Sequence, residues 1–207
     1  MHAYLNENNL NNVILEEPMI LASHVIFGAY GFWLPNDPRG SWSDFVGRWE
    51  LTHFGKATTV TTHRSLAHAP HDRALREAAK QALLYPPVKF TGVQALAVAN
   101  GFIRAIEDAT YTIFACAILP EHVHLVLCRH ARKPRKIIGH LKARATRQLK
   151  SSGLWPDPEQ PVWGIRAWVV YLDTQLDVRR AIKYLEQNSI KEGKPRQKWS
   201  FVAPFER

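Results

Sequence analysis

The chain has 207 residues, enough for one ordinary domain with a substantial core, whereas a second domain would be cramped at the typical size of ~100–150 residues. Its composition, 46% hydrophobic and 11% aromatic, indicates a globular, soluble protein, since no apolar run approaches the ~20 residues needed to cross a bilayer. The excess of 27 basic over 18 acidic residues gives a formal charge of +9, which favours a polyanionic partner through counterion release.

Residues 1–18 are polar and rich in asparagine, and they lack the basic start and apolar core of a secretion signal. We expect a flexible leader there, followed by a single domain over 19–207. The only cysteines, Cys116 and Cys128, are too few for a disulfide scaffold. A cytoplasmic protein with no membrane partner is therefore expected.

The first half of the domain begins with a predicted strand within 19–35, which ends in a loop punctuated by glycine and proline. The region at about 36–70 has turn signals but no clear periodicity, so we predict an extended loop. Helices are predicted over 71–84 and, with Thr91 as its start signal, through 93–109.

Two β-rich runs follow, 111–119 and 122–129, with Pro120 and Glu121 between them. This spacing predicts a hairpin in which His124 lies opposite Ala117, a small residue that leaves room above the sheet.

The second half is predicted to contain an amphipathic helix over 134–152, a strand over 162–173 and a last helix over 174–193. The predicted apolar face of the helix over 134–152 consists of Ile137, Ile138, Leu141, Ala145 and Leu149. The last helix has Asp177 in its first turn and Gly193 just past its end. This order of elements predicts an α+β fold, with a mainly antiparallel central sheet and helices packed on it.

The run "AILPEHVHLVLCR", residues 117–129, places two histidines inside an otherwise apolar strand. Because side chains alternate across a strand, His122 and His124 leave from one face. Neutral imidazole is a common ligand of first-row metals, so the pair is a candidate metal site that needs a third ligand. Two histidines hydrogen-bonded at a sheet surface would be the plain alternative.

In the last helix, "KYLEQN" places Tyr184 and Asn188 four residues apart, and therefore on one face. If that face lies over the histidines, the Asn188 amide oxygen can complete a metal shell and the Tyr184 phenol can attack a metal-bound phosphate. Alternatively, Tyr184 is an aromatic at the edge of the core and Asn188 a helix C-terminal residue.

A basic stripe on the predicted helix over 134–152 and just before it is a candidate phosphate track, although such a stripe is often only a solvated face. Its members are Lys133, Arg135, Lys136, His140, Arg144, Arg147 and Lys150.

Together, "LPEHVHLVL" and the later "AIKYLEQNSIKEG" resemble the His-hydrophobic-His motif and tyrosine helix of single-tyrosine HUH transposases, which include insertion-sequence and REP-associated tyrosine transposases. The resemblance covers roughly residues 19–202, with Ser189 where proline is usual. It implies a ferredoxin-like sheet, a Mg²⁺ or Mn²⁺ ion, His122 and His124 as metal ligands with Asn188 as the third, and Tyr184 as the nucleophile.

The function implied by this resemblance is single-stranded DNA nicking and strand transfer through a covalent 5′-phosphotyrosine intermediate, as in DNA transposition or the mobilisation of a palindromic repeat. Single-stranded or hairpin DNA is the expected partner. Two alternatives stay open: a domesticated regulator that binds hairpin DNA without cutting it, and a metal-dependent phosphodiesterase that uses water. The sequence also leaves open whether the chain forms a homodimer and whether the tyrosine helix acts in its own subunit.

Overall fold

The computed structural model describes residues 19–35, 37–38, 40, 46, 49–57, 69–191 and 193–206. The expected leader and much of the expected loop at 36–70 lie outside the described residues. In chain order the elements are β1 (Ala22–Ala29), a 3₁₀ helix (Trp49–Phe54), α1 (Arg73–Gln81), α2 (Gly92–Ala109), β2 (Ile113–Ile118), β3 (His122–Cys128), α3 (Pro134–Ser151), β4 (Trp163–Leu172) and α4 (Gln175–Lys191).

The four strands form one sheet in the order β2-β3-β1-β4, and every neighbouring pair is antiparallel. Without α1, the 3₁₀ helix and α4, the order is β1, α2, β2, β3, α3 and β4, which is the split βαβ arrangement of ferredoxin-like folds. The expected α+β, ferredoxin-like fold is confirmed. Its topology places β1 and β3, which are distant in sequence, side by side in the middle of the sheet.

The two faces of the sheet carry different helices. Val25 and Phe27 of β1 and Leu125 of β3 belong to the main core, which also contains the apolar sides of α2 and α3. On the opposite face, Val126 of β3 belongs to a smaller core with Leu185 of α4. Alternation along β3 therefore points His122 and His124 towards the α4 side of the sheet.

The local signals that predicted the helices act as expected. Thr91 is the N-cap of α2, and its hydroxyl accepts a hydrogen bond from the Gln94 backbone N–H at 3.3 Å, while the Gln94 side chain accepts one from the Thr91 N–H at 2.9 Å. Gly193, just beyond α4, adopts a left-handed φ of 68°. The buried side of α3 is the predicted apolar face, Ile137, Ile138, Leu141, Ala145 and Leu149.

The hairpin also has its predicted register, with Ala117 opposite His124. The main differences lie at the boundaries and in the expected loop. β1 is shorter than the predicted strand, and the 3₁₀ helix falls inside 36–70, where Leu51 and Phe54 pack with Leu34 and Ala79 in a separate small core. Their apolar spacing is too short to be recognised as a helix in sequence.

Beyond α4, the chain returns to the free edge of β2. The Gln197 side-chain amide donates to the Ile118 carbonyl at 2.7 Å and its oxygen accepts from the Ile118 N–H at 2.8 Å. Val202 forms a bridge with Ile113. This segment covers an edge that would otherwise present unpaired backbone groups. Within the described residues, no helix is both long and apolar enough to span a membrane.

Helices α2 and α3 approach most closely at Gly101, where an added Cβ would overlap the backbone of Ala145. We expect Gly101→Ala to lower the free energy of unfolding by ~1–3 kcal/mol, because the two helices must separate. In the matched control, Gly139→Ala on α3, the added Cβ meets no atom within 4 Å, and the gain in helix propensity should stabilise the protein by ~0.5–1 kcal/mol. Urea unfolding measures both; equal effects would contradict this packing.

Candidate active site

His122 and His124 lie on the α4 side of β3, as the alternation predicted, with their ring centres 4.8 Å apart. His124 is only 3% exposed, between Ala117 of β2 and Ile26 of β1 in the sheet register. The His122 ring stacks on Phe32 at a centre-to-centre distance of 4.6 Å and an angle of 11°. The two imidazoles are thus held in place by packing on the sheet surface.

A third histidine, His24 of β1, belongs to this cluster and was missed in the sequence. Its Nε2 lies 3.4 Å from Nδ1 of His124, and the two rings are stacked with centres 5.6 Å apart. The alternation of "ASHVIFGA" puts His24 on the same face as Ile26. That pattern was visible, but nothing in the sequence showed that β1 lies beside β3.

The last helix brings Tyr184 to the same place within the same chain. The Tyr184 ring centre is 6.0 Å from that of His124 and 6.0 Å from that of His24, and the residue is 37% exposed. Asn188, one turn further along, is 7% exposed on the side of α4 that carries the buried Leu185. The structure therefore collects the tyrosine, the asparagine's helix face and the histidines on one side of the sheet.

Burial keeps two imidazoles of this cluster, His24 and His124, neutral. It lowers the pKa of His24 from 6.5 to about 4. Burial is also the main cause that holds the pKa of His124 well below its usual range, and positive charge on His122 or His24 would lower that pKa further. Neutral imidazoles retain the lone pair that a metal ligand needs.

The donors present allow a test of whether a metal fits. Within the described ranges, no three His, Cys, Asp or Glu side chains are grouped so that they could hold a metal ion. The His122 and His124 pair therefore needs a donor of another kind, and the buried amide of Asn188 is of such a kind. Two imidazole nitrogens and an amide oxygen suit a first-row divalent ion.

Two further groups contact the tyrosine and histidine cluster. The Lys191 ammonium lies over the Tyr184 ring, 5.2 Å from its centre. Trp168 of β4 meets the His24 ring edge to face at 5.0 Å. On the other side, Ala115, Ala117 and the α4 residues Leu185 and Ser189 contribute to the lining of a cavity of about 310 Å³. The small residues opposite the histidine strand therefore leave room above the sheet.

The predicted DNA-binding stripe lies elsewhere. Helix α3 packs on the opposite face of the sheet, with α2. Two members of the stripe are half-buried and engaged with Asp108 of α2: Arg144 forms an ion pair with it, and His140 Nε2 lies 3.2 Å from its Oδ2. The exposed members are Lys133, Arg135, Lys136, Arg147 and Lys150. Four of these five present open cationic groups away from the histidine face, since the Lys150 ammonium donates to the Pro158 carbonyl at 2.7 Å.

Comparisons with known proteins add the following. No protein-family model matches the chain, and no curated protein matches it. A solved structure of a REP-associated tyrosine transposase bound to a REP hairpin aligns at a TM-score of 0.45 with 14% identity, over 97% of this chain and 81% of that one. A candidate transposase from Deinococcus radiodurans R1 aligns at 0.39 with 10% identity, over 86% and 95%. These similarities are too low to carry an argument about activity.

The buried histidines make stability depend on pH. Folding lowers the pKa of His24 from 6.5 to about 4. Between these two pH values, His24 is protonated in the unfolded chain but not in the folded chain. Stability is therefore complete above pH 6.5 and falls as the pH drops towards 4. Each unit by which the pKa in the folded chain lies below the pKa in the unfolded chain corresponds to a loss of roughly 1.4 kcal/mol in the free energy of unfolding. The loss is complete once the pH has fallen below both pKa values.

Urea unfolding at pH 7 and pH 5 measures this effect. His24→Gln should reduce the pH dependence, whereas His53→Gln, at an exposed residue, should leave it as in the wild type. A wild-type protein whose unfolding midpoint is the same at both pH values would refute the assignment of burial as the cause.

Proposed function

We propose that this chain nicks single-stranded DNA and transfers the strand through a covalent 5′-phosphotyrosine intermediate on Tyr184, with Mg²⁺ or Mn²⁺ as cofactor. The observation that carries the proposal is that the Tyr184 ring lies 6.0 Å from the His124 ring, on a sheet face that holds a His-x-His pair. A partly exposed phenol beside neutral, buried imidazoles is an arrangement for nucleophilic attack at a metal-bound phosphate.

The charge of the chain supports a polyanionic substrate. The formal net charge is +9, and the open cations of α3 contribute to it. Such a surface attracts DNA without regard to sequence and releases counterions on binding. The +9 charge and the tyrosine site together favour DNA over a small phosphate ester.

In the proposed step, the Tyr184 phenol oxygen attacks the scissile phosphorus. The new bond joins that oxygen to phosphorus, and the bond between phosphorus and the 3′ oxygen breaks. The proton lost by the phenol is balanced by the one that the departing 3′ oxygen gains, so the products are a 5′-phosphotyrosine and a free 3′ hydroxyl. Attack by a 3′ hydroxyl on the phosphotyrosine reverses the step and completes strand transfer.

His122, His124 and Asn188 are the residues that would hold the metal. When bound, a divalent ion neutralises a nonbridging phosphate oxygen and makes the phosphorus more electrophilic. His24 orients the site: when Nδ1 of His124 donates its proton to Nε2 of His24, Nε2 of His124 keeps its lone pair for a ligand bond.

Lys191 assists at the nucleophile. Its ammonium, 5.2 Å from the centre of the Tyr184 ring, stabilises negative charge that develops on the phenol as the proton leaves. The phosphotyrosine bond conserves the energy of the broken phosphodiester, so the reaction requires no nucleotide cofactor.

The test is formation of a covalent adduct between the purified chain and single-stranded DNA carrying the flanking sequence of its own gene, with Mg²⁺ or Mn²⁺. We expect an adduct that resists denaturing electrophoresis and disappears, by at least 100-fold, in Tyr184→Phe. Tyr85→Phe serves as the matched control, because Tyr85 packs on Tyr30, away from the histidines, and should leave the adduct unchanged.

The same assay separates the alternatives. Cleaved DNA without an adduct would identify water as the nucleophile and a phosphodiesterase as the function. Binding of hairpin DNA with neither cleavage nor adduct would indicate a regulator. An adduct that persists in Tyr184→Phe would contradict the proposal outright.

The ligand set is tested by stability, independently of turnover. A metal that binds only the folded state raises the melting temperature, so millimolar Mn²⁺ should raise Tm by a few degrees in the wild type. His124→Ala and Asn188→Ala should abolish most of that rise, whereas His53→Ala should retain it. An undiminished rise in Asn188→Ala would remove Asn188 from the ligand set.

A further inference from the structure

A groove lies at the end of the sheet where β3 finishes, beyond the histidines. Its volume is about 780 Å³, and it runs between Met19 and Ile20 before β1, the loop 129–133 after β3, the first turn of α3, and Tyr171 of β4. Neither the tyrosine nor the histidines of the candidate active site line it.

The floor of the groove is apolar. Leu127 and Ile137 are buried within it, and two large apolar side chains at its rim are open to solvent: Met19 is 61% exposed and Tyr171 is 51% exposed. An exposed aromatic ring beside an apolar floor is a surface on which a nucleic-acid base can stack, whatever its sequence.

The other rim is cationic. The groove is lined by Arg129, His130, Arg132 and Lys133, and none of the described residues that line it is acidic. Arg132 donates to the Tyr111 hydroxyl at 2.9 Å, and the Arg132 backbone N–H donates to Nδ1 of His130 at 2.9 Å. The Nε2 of that ring therefore carries the proton and is a hydrogen-bond donor.

Arg129 and Lys133 are both exposed, and in the described parts of the chain neither pairs with a carboxylate. This distinguishes them from Arg144, which Asp108 neutralises. The 18-residue helix α3 also begins here, with no acidic residue in its first turn and no side-chain cap. Its positive dipole end is therefore not neutralised locally.

We propose that this groove is a second DNA-binding site, which holds a single-stranded segment while the tyrosine site acts on a phosphate further along the same strand. A base stacks on Tyr171 over the apolar floor, and backbone phosphates of the same DNA segment pair with Arg129 and with Lys133 at the start of α3.

The floor of the groove lies on the α3 side of the sheet, because Leu127 and Ile137 belong to the main core. A strand bound at both sites therefore passes round the end of the sheet, where four residues along β3, about 13 Å at ~3.3 Å per residue, separate His124 from Cys128. This inference rests on the proposed function in taking DNA as the substrate.

Fluorescence anisotropy with a labelled single-stranded oligonucleotide tests the groove without chemistry, in EDTA and in the full-length chain carrying Tyr184→Phe. Arg129→Ala with Lys133→Ala should weaken binding at least tenfold at 0.1 M salt. It should also reduce the slope of log K against log salt by ~1.4, since single strands give ~0.7 for each phosphate contact. Arg73→Ala with Arg104→Ala removes two exposed charges elsewhere and should weaken binding by no more than about threefold.

The base contact has its own readout. DNA containing 5-iododeoxyuridine should crosslink to Tyr171 on irradiation, within the tryptic peptide 167–179. Tyr171→Phe should retain affinity because the ring remains, whereas Tyr171→Ala should lose about tenfold. Urea unfolding of each variant verifies that it is folded.

Equal losses of DNA affinity in the two double variants, or an unchanged affinity in Tyr171→Ala, would contradict the proposal that the groove binds DNA. So would binding of dTMP alone with the affinity of the oligonucleotide, since the site would then hold a free nucleotide. Adduct formation separates this inference from the proposed function. If the wild type forms the adduct and the groove variants bind and react normally, only the groove is refuted. If no adduct forms but the groove variants lose binding, DNA binding in the groove is supported and the proposed nicking activity is refuted.

Discussion

The packing of α4 on the sheet is the interaction on which the candidate site depends. Val178, Ala181 and Leu185 of α4 are buried with Val126 of β3 and Ala22 of β1, and each large apolar side chain so buried contributes ~1.5–3 kcal/mol. This apolar stripe fixes both the position and the rotation of the helix. Tyr184 is adjacent to Leu185 in sequence, so the same rotation directs it to the edge of the stripe, over His24 and His124. A hydrophobic contact thereby positions a polar site.

The histidines form a polar cluster that is largely buried from solvent, in contrast to the apolar contact that positions α4. His124 is almost wholly buried and His24 is 3.4 Å from it, so charging either ring would place a cation in a poorly solvated site beside a second basic group. The fold therefore selects neutral imidazoles over a wide pH range. In that state His24 and His124 carry no proton that a ligand would first have to displace.

Charge and chemistry are divided between different parts of the domain. The α4 side of the sheet carries the tyrosine and histidines, and the opposite side carries the basic helix α3. The groove lies at the end of β3, with its floor on the α3 side. Helix α3 is less cationic than its sequence indicates, because Asp108 of α2 pairs with Arg144 and lies close to His140. The unpaired cations are concentrated at its start, next to the groove.

The sequence by itself determined the local features, which depend on residues close together along the chain. Neighbours within a few residues decide the helix start at Thr91, the five apolar residues of α3, the hairpin register of Ala117 and His124 and the shared face of Tyr184 and Asn188. It could not show that His24 joins the site, that Asp108 pairs with Arg144, or that Met19 and Tyr171 share a groove with Arg129. These depend on which strands and helices lie side by side. That choice is decided by the burial of apolar faces across the whole domain, and only the tertiary structure reveals it.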